Sequence, residues 1–376
     1  MKVIIAAAGT GGHINPGIAI ANKIMKEQPD SEIIFIGTNR GLETDLVPKA
    51  GYELKTINSY GFSKKLTITN IKRMIKTFKS IGEARRIVKD FKPDIIIGTG
   101  GYICVSVCLA AKKLKMAYII HESNALPGLA TKVVAKNANR ILVGFKEAKE
   151  RLQKYEEKVV VTGSPTKTRD LGYDLDQIEH KKRELGFDKK EPLVLIFGGS
   201  QGAKNINNSV KGIIEHKKNI DGKYQICWAA GPEQYDIVKK EFLEKDINID
   251  NVKKAKVYPY IYNMEEVMNV CDLVVARSGA MTITEIEEVG KPAIFIPLPN
   301  VSGNHQEYNA RALEDEGAAR VILDKDLNEE ILDSTIRELI VDKGQLKEMA
   351  KASKRKQIKN VEENIYKEVI DVLNEN

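Results

Sequence analysis

Lys2-Val-Ile-Ile-Ala-Ala-Ala-Gly-Thr-Gly-Gly-His13, running on into Ile14-Asn-Pro-Gly17, is the stretch on which the fold turns. An unbroken apolar run after Lys2 reads as a strand covered on both faces, and the glycines end it in a turn that opens onto an apolar helix. Glycine lets backbone approach a ligand closely, and a helix start offers free N–H groups and a positive dipole end to an anion. His13 puts a titratable base at the edge of that turn, which points to chemistry as well as packing.

Outward from this stretch, short apolar runs alternate with helical patterns. The expected strands are Val3–Ala7, Glu32–Ile36, Ile95–Gly98, Tyr118–His121, Arg140–Val143 and Val159–Thr162, then Leu193–Phe197, Gln225–Ala229, Val257–Tyr260, Leu273–Ala276 and Ala293–Ile296. Val/Ile runs separated by helices predict parallel sheets covered on both faces, an α/β class. The two halves echo one another. Pro93-Asp-Ile-Ile-Ile-Gly-Thr-Gly-Gly101 leads to Met116-Ala-Tyr-Ile-Ile-His121, as Cys271-Asp-Leu-Val-Val-Ala-Arg-Ser-Gly279 leads to Lys291-Pro-Ala-Ile-Phe-Ile-Pro297. Each half opens with a strand and a glycine turn, Gly198-Gly-Ser-Gln-Gly-Ala203 being the second. The expectation is two Rossmann-like, doubly wound domains facing across a cleft, with ligands at the carboxyl ends of the strands. The first spans 1–164 and the second 165–356; a linker runs from Gly163 to Pro192, with a charged helix near Leu175–Leu185.

The 376 residues suit two domains, and 42% hydrophobic residues supply sizeable cores. No window reaches ~18 uninterrupted apolar residues, so no transmembrane helix is expected. The chain enters a strand at once, so no secretory signal is expected either. Cys104, Cys108, Cys227 and Cys271 lie in apolar runs, as reduced core thiols do, and no zinc-ligand set accompanies them. The net charge of +7 is split: residues 1–165 carry 27 Lys+Arg against 14 Asp+Glu, residues 166–376 carry 32 against 38. The basic half should seek an anionic partner.

Any one glycine turn can be no more than a tight strand-to-helix connection, but four recur at four strand ends. A dinucleotide fingerprint fails, because Ile14 stands where the third glycine belongs and Ile36-Gly37-Thr38 ends its strand without an acid for a ribose. No phosphate loop of the Walker type occurs. A nucleotide diphosphate held by amides and helix ends remains.

Taken together, Gly9-Thr-Gly-Gly-His13, Gly198-Gly-Ser-Gln-Gly-Ala203, Arg277-Ser-Gly-Ala-Met-Thr-Ile-Thr-Glu285 and Asn304-His-Gln-Glu-Tyr-Asn309 resemble the MurG family, glycosyltransferase family 28 enzymes of the GT-B fold. The resemblance runs over essentially the whole chain. It implies transfer of GlcNAc from UDP-GlcNAc to the MurNAc 4-hydroxyl of undecaprenyl-diphospho-MurNAc-pentapeptide (lipid I), giving lipid II and UDP in peptidoglycan synthesis. A β1→4 link from an α-linked donor means inversion through an oxocarbenium-like state. The resemblance implies no cofactor, a peripheral position on the cytoplasmic face of the membrane, partners in a cell-wall synthesis complex, and a C-terminal helix (about 357–376) that packs back on the first domain.

On this resemblance His13 is the expected general base, with His121, next to Glu122, as the rival. Ala280, Met281 and Thr282 at a helix start, with Ser200 in the second glycine turn, stabilise the leaving UDP. Glu285 takes the ribose hydroxyls, the backbone of Ile261 reads uracil, and Gln306 reads the sugar hydroxyls. Asn124, Thr10, Gly11, Gly12 and Lys167 complete the donor set, while Gly100, Gly101 and Tyr102 form the acceptor loop. Two positions depart from the family: Lys167 stands where an Arg is usual and lacks its planar fork, and Val105-Ser106 replaces a Gly-Pro pair. Asp174-Leu-Asp176 and Asp324-Lys-Asp326 match a metal-binding D-x-D string but lie in charged, loop-like sequence, and no metal is expected.

Lys64 to Lys92 carries ten Lys/Arg and two acids. Ile68, Ile71, Met74, Ile75, Phe78 and Ile81 recur at helical spacing, flanked by Lys72, Arg73, Lys76 and Lys79. The stripe fits a surface helix packed on the sheet, or a patch that docks on an anionic leaflet, which a polyprenyl-linked acceptor needs. Nucleic acid is not expected, for no aromatics interleave the charge. Three other readings stay open: a different glycolipid synthase of the GT-B fold, a UDP-GlcNAc epimerase, which would not need the basic patch, and a silent sugar-nucleotide-binding subunit, against which His13, Glu285 and Gln306 speak.

Overall fold

The computed structural model describes the chain except residues 61–67, 200–201, 218–223, 253, 300, 302–303 and 376, and the side chains except, in addition, those of 68–78 and 251. It divides into two units: Met1–Lys167 together with Ile358–Asn376, and Thr168–Gln357.

In the first unit the strands β1 (Lys2–Ala6), β2 (Glu32–Gly37), β3 (Glu53–Thr56), β4 (Ile95–Gly98), β5 (Tyr118–Glu122), β6 (Arg140–Val143) and β7 (Val159–Val161) form a parallel sheet in the order β3-β2-β1-β4-β5-β6-β7. Successive residues of a strand face opposite ways. Ile4 and Ala6 therefore join one core with Ile81, Ala84 and Val88 of the Ile68–Phe91 helix and with Ile103 and Val107 of the Ile103–Leu114 helix. Val3 and Ile5 join the other, with Ile14, Ile18 and Ile24 of the Gly11–Glu27 helix. Both faces are covered, which is why the strand reads as a continuous apolar run.

The last helix, Val361–Glu375, belongs to that second layer through Ile365, Val369 and Val372. Lys23 Nζ bridges Glu27 (2.9 Å) and Glu363 (2.8 Å), and Arg140 pairs with Glu368.

The second unit repeats the winding. Its strands β8 (Leu193–Phe197), β9 (Gln225–Ala229), β10 (Ala255–Tyr258), β11 (Leu273–Ala276), β12 (Ala293–Phe295) and β13 (Ala319–Val321) run parallel in the order β10-β9-β8-β11-β12-β13. In each sheet the winding reverses between its first strand and the next inner neighbour, β1/β4 and β8/β11. The turns after those four strands are the four glycine turns, so each sheet gathers two of them at its switch point.

Three features differ from the sequence expectation. The strands β3 and β13 were not expected; they are short edge strands with exposed residues, so they lack the apolar run of the inner strands. The strand expected at Val257–Tyr260 lies two residues earlier, because Pro259 has no N–H to give a ladder. The expected linker is largely folded into the second unit: the Leu175–Glu184 helix contributes Lys182, whose Nζ meets Asp272 at 2.7 Å. All four cysteines are free and buried.

Candidate functional site

The first glycine turn is built from three sides. Gly9 has φ +97°, and the Gly11–Glu27 helix begins as His13 and Ile14 N–H donate to the Thr10 carbonyl. Thr99 Oγ1 donates to the His13 carbonyl at 2.7 Å. Gly100 and Gly101, both at positive φ, lie against the His13 ring; a Cβ on Gly100 would overlap Nδ1, and one on Gly101 would come within 3.4 Å of Cδ2.

The third side is a carboxylate that the sequence reading did not single out. Glu43, fully buried, accepts from Gly9 N–H through Oε2 (3.0 Å) and from Thr38 N–H (2.9 Å) and Oγ1 (2.6 Å) through Oε1. Burial opposes its ionisation, but these donors outweigh burial and hold its carboxyl below the usual carboxylate range. An acid thus does reach the end of β2, from the first turn of the Glu43–Lys49 helix, and it is taken up by the protein's own backbone. Gly9 N–H consequently points inward and not to a ligand. Its sequence signal was an acid opening a helix just after a strand ending in Gly-Thr.

Gly100, Gly101 and Tyr102 lead straight into the Ile103–Leu114 helix, so the departure at Val105-Ser106 falls inside a helix and not in a loop. Both residues are buried, and Ser106 Oγ meets Ser80 Oγ at 2.7 Å and Ser59 Oγ at 3.1 Å. Asn124 is held by Glu122, whose Oε1 accepts from both its backbone and side-chain N–H at 3.0 Å; Oε2 accepts from Gly128 N–H and Thr131 Oγ1. His121 is fully buried; Nε2 donates to the Gly163 carbonyl (3.0 Å), and desolvation pushes its pKa down. Lys167, exposed, is the last residue of the unit before the chain leaves it.

In the second unit, Ala280, Met281 and Thr282 open the Ala280–Val289 helix, whose N-cap Gly279 supplies no side chain to its free N–H groups. Buried Arg277 precedes it, paired with Asp324 and donating to the Ile296 and Pro297 carbonyls. Ser278 Oγ donates to the Gln306 carbonyl (2.8 Å), and Leu298 N–H donates to Gln306 Oε1 (2.9 Å). Gln306 is thereby brought to the helix start through its carbonyl and its Oε1. Glu285 lies one turn along, and desolvation pushes its carboxyl up to about 7. Ile261 is buried just after the edge strand β10, between exposed Tyr260 and Tyr262.

The two D-x-D strings have structural work: Asp324 pairs with Arg277 and accepts from Asn205, and Asp174 caps the Leu175–Glu184 helix. Ser200 lies outside the described residues, as do the side chains of Ile68, Ile71, Lys72, Arg73, Ile75, Lys76 and Phe78; Lys79 is exposed. Of the apolar stripe, Ile81 is packed in the core. Among the described residues, no helix is long and apolar enough to cross a membrane.

Two family models match, the glycosyltransferase family 28 N-terminal domain over residues 3–143 and its C-terminal domain over 193–365. A protein of Acetivibrio thermocellus named UDP-N-acetylglucosamine--N-acetylmuramyl-(pentapeptide) pyrophosphoryl-undecaprenol N-acetylglucosamine transferase is 45% identical over 374 residues, 99% of this chain and 98% of the relative. The crystal structure of Acinetobacter baumannii MurG superposes with a TM-score of 0.77 at 25% identity, over 100% of this chain and 99% of that one. A co-structure of S. aureus MnaA with UDP superposes at 0.67 and 18% identity, covering 100% and 97%, a likeness of fold alone.

Proposed function

The chain belongs to glycosyltransferase family 28, and on that premise we propose a division of labour between its two units in moving GlcNAc from UDP-GlcNAc to lipid I. The protein is a UDP-GlcNAc-dependent N-acetylglucosaminyltransferase of the MurG family, and lipid II and UDP are its products.

The second unit holds the donor. The free amides at Ala280, Met281 and Thr282, with the helix dipole, face the diphosphate and stabilise the charge that grows on it as UDP leaves. Ser200 adds a donor. Glu285 accepts from the ribose hydroxyls, the Ile261 backbone reads the uracil, and the Gln306 NH2 group reads the sugar. The family resemblance also assigns Thr10, Gly11, Gly12, Asn124 and Lys167, all of the first unit, to donor binding.

The first unit brings the acceptor and the base. The MurNAc 4-hydroxyl oxygen bonds to the anomeric carbon on the face opposite UDP, the bond from that carbon to the diphosphate oxygen breaks, and the hydroxyl proton passes to the imidazole of His13. Gly100, Gly101 and Tyr102 line the acceptor's path, and the stretch of Lys72, Arg73, Lys76 and Lys79 docks on an anionic cytoplasmic leaflet, where the polyprenyl tail resides. Other cell-wall synthesis proteins are its expected neighbours there.

The observation that carries this reading is the seat of His13: its ring, half-buried, lies against Gly100 and Gly101, and its carbonyl accepts from Thr99, so the side chain is oriented in advance. The rival His121 is sealed in the core. The test is UDP release by the purified protein from UDP-GlcNAc and a short-chain lipid I analogue in EDTA. Release is expected, with a large loss in His13→Ala. No release with any muramyl lipid would overturn the activity, and near-full turnover in His13→Ala would remove His13 as the base.

A further inference from the structure

A buried carboxylate, that of Glu43, accepts the amide of Gly9 at the start of the Gly9–His13 turn. We propose that Glu43 is a positioning residue of the transfer reaction: its carboxylate ties the end of β1 to the end of β2 and so holds the turn in the arrangement that seats His13 against Gly100. The inference rests on the reading of His13 as the base.

The geometry is specific. One carboxylate oxygen takes the N–H of Gly9, 34 residues away in sequence, and the other takes both donors of Thr38. Glu43 and Thr38 are fully buried and the Gly9 bond is part-buried, so a lost partner of the carboxylate is poorly replaced by bulk water. Gly37 makes room for it: a Cβ there would come within 2.8 Å of Glu43 Cγ and 3.2 Å of the Ala7 carbonyl. Among the described residues the ionised group is balanced by N–H and O–H donors and not by a cation, an arrangement that depends on every donor keeping its direction.

Gly9, at φ +97°, is the flexible joint between β1 and the helix that carries His13. Left free, such a joint lets the helix start shift, and a base displaced by about 1 Å can lose about 100-fold in rate. Glu43 removes that freedom by directing the Gly9 amide inward. Glu43→Gln keeps the shape but faces an NH2 group toward a backbone N–H, so one of the two backbone bonds must break.

The test compares the wild-type chain with Glu43→Gln, His13→Ala and the double variant, measuring kcat, both KM values, affinity for UDP by calorimetry and the melting transition. Glu43→Gln is expected to lower kcat about 10- to 100-fold while affinity for UDP, which the second unit is proposed to hold, stays within about twofold of wild type. The double variant is expected to be no slower than His13→Ala alone, because Glu43 acts only through His13. Wild-type kcat in Glu43→Gln, or additive losses in the double variant, would overturn the proposal while leaving an inactive His13→Ala to support the base. Wild-type turnover in His13→Ala would overturn both. If Glu43→Gln does not fold, Thr38→Val removes one donor and keeps the Gly9 bond. A severalfold fall in kcat, again non-additive with His13→Ala, is then expected, and an unchanged kcat would overturn the proposal.

Discussion

Gly100 is a glycine because His13 occupies the space where its side chain would be. The two residues are 87 positions apart, yet β1 and β4 pair directly, Ala6 opposite Gly98, so the turns that follow them meet at the switch point of the sheet. The missing Cβ of Gly100 is what leaves room for the His13 ring.

Gly100→Ala tests this contact. Its φ of +108° is hostile to any side chain, and the added methyl must push the imidazole aside. The expected cost is about 1–3 kcal/mol of stability from backbone strain and a fall in kcat of about 10- to 100-fold. Affinity for UDP-GlcNAc by calorimetry should be nearly unchanged; if donor affinity falls in step with kcat, the damage is not local to the base.

Glu285 predicts a pH dependence. Its carboxyl titrates near 7, above the usual carboxylate range, because it is desolvated. In the proposed donor site the ribose hydroxyls bond best to the ionised form, so UDP affinity should weaken as pH falls through about 7 and level off above it. For the ligand-free fold the sign is opposite: stability from the protonated form is present at low pH and lost as pH rises through about 7. Glu285→Gln should therefore bind UDP poorly at every pH and melt higher than wild type at pH 8, by about 2–4 °C. Calorimetry and melting curves at pH 6 and pH 8 check both signs.

Asp324→Ala should damage the second unit. It leaves the Arg277 guanidinium buried without its carboxylate, which costs about 3–5 kcal/mol. Because Arg277 directly precedes Ser278 and the helix start, UDP affinity should fall as well. Urea unfolding and calorimetry read the two effects; a variant with unchanged stability would show that the pair does not hold this corner.

Reversing charge on the basic helix, Lys72→Glu with Lys76→Glu, should reduce turnover strongly when the acceptor is presented in anionic vesicles. With a soluble short-chain acceptor the rate should be close to wild type. Equal loss in both assays would place the effect in the active site and not in membrane docking.

The inner strands were legible because burial on both faces writes an uninterrupted Val/Ile run into the chain, as in Ile95-Ile-Ile-Gly98. Edge strands such as Glu53–Thr56 carry no such run and were missed. His13 was singled out by its place beside a glycine turn, and Glu285 and Gln306 by resemblance. Glu43 was not, since an acid in the first turn of a helix looks the same whether it meets water or the amide of Gly9. His121 beside Glu122 reads in the sequence as a rival base or a structural pair; in the fold each side chain turns to its own partners, Gly163 for the one, Asn124 and Gly128 for the other.

By itself, then, the sequence determined the alternation of strand and helix, the two halves and the glycine turns at their strand ends, because propensity, periodicity and turn chemistry act over a few neighbouring residues. Only the tertiary structure decided which amide meets which carboxylate, which histidine is sealed in the core and which glycine makes room for the other. Those outcomes depend on groups brought together across the sheet from distant positions, and no local pattern records the pairing.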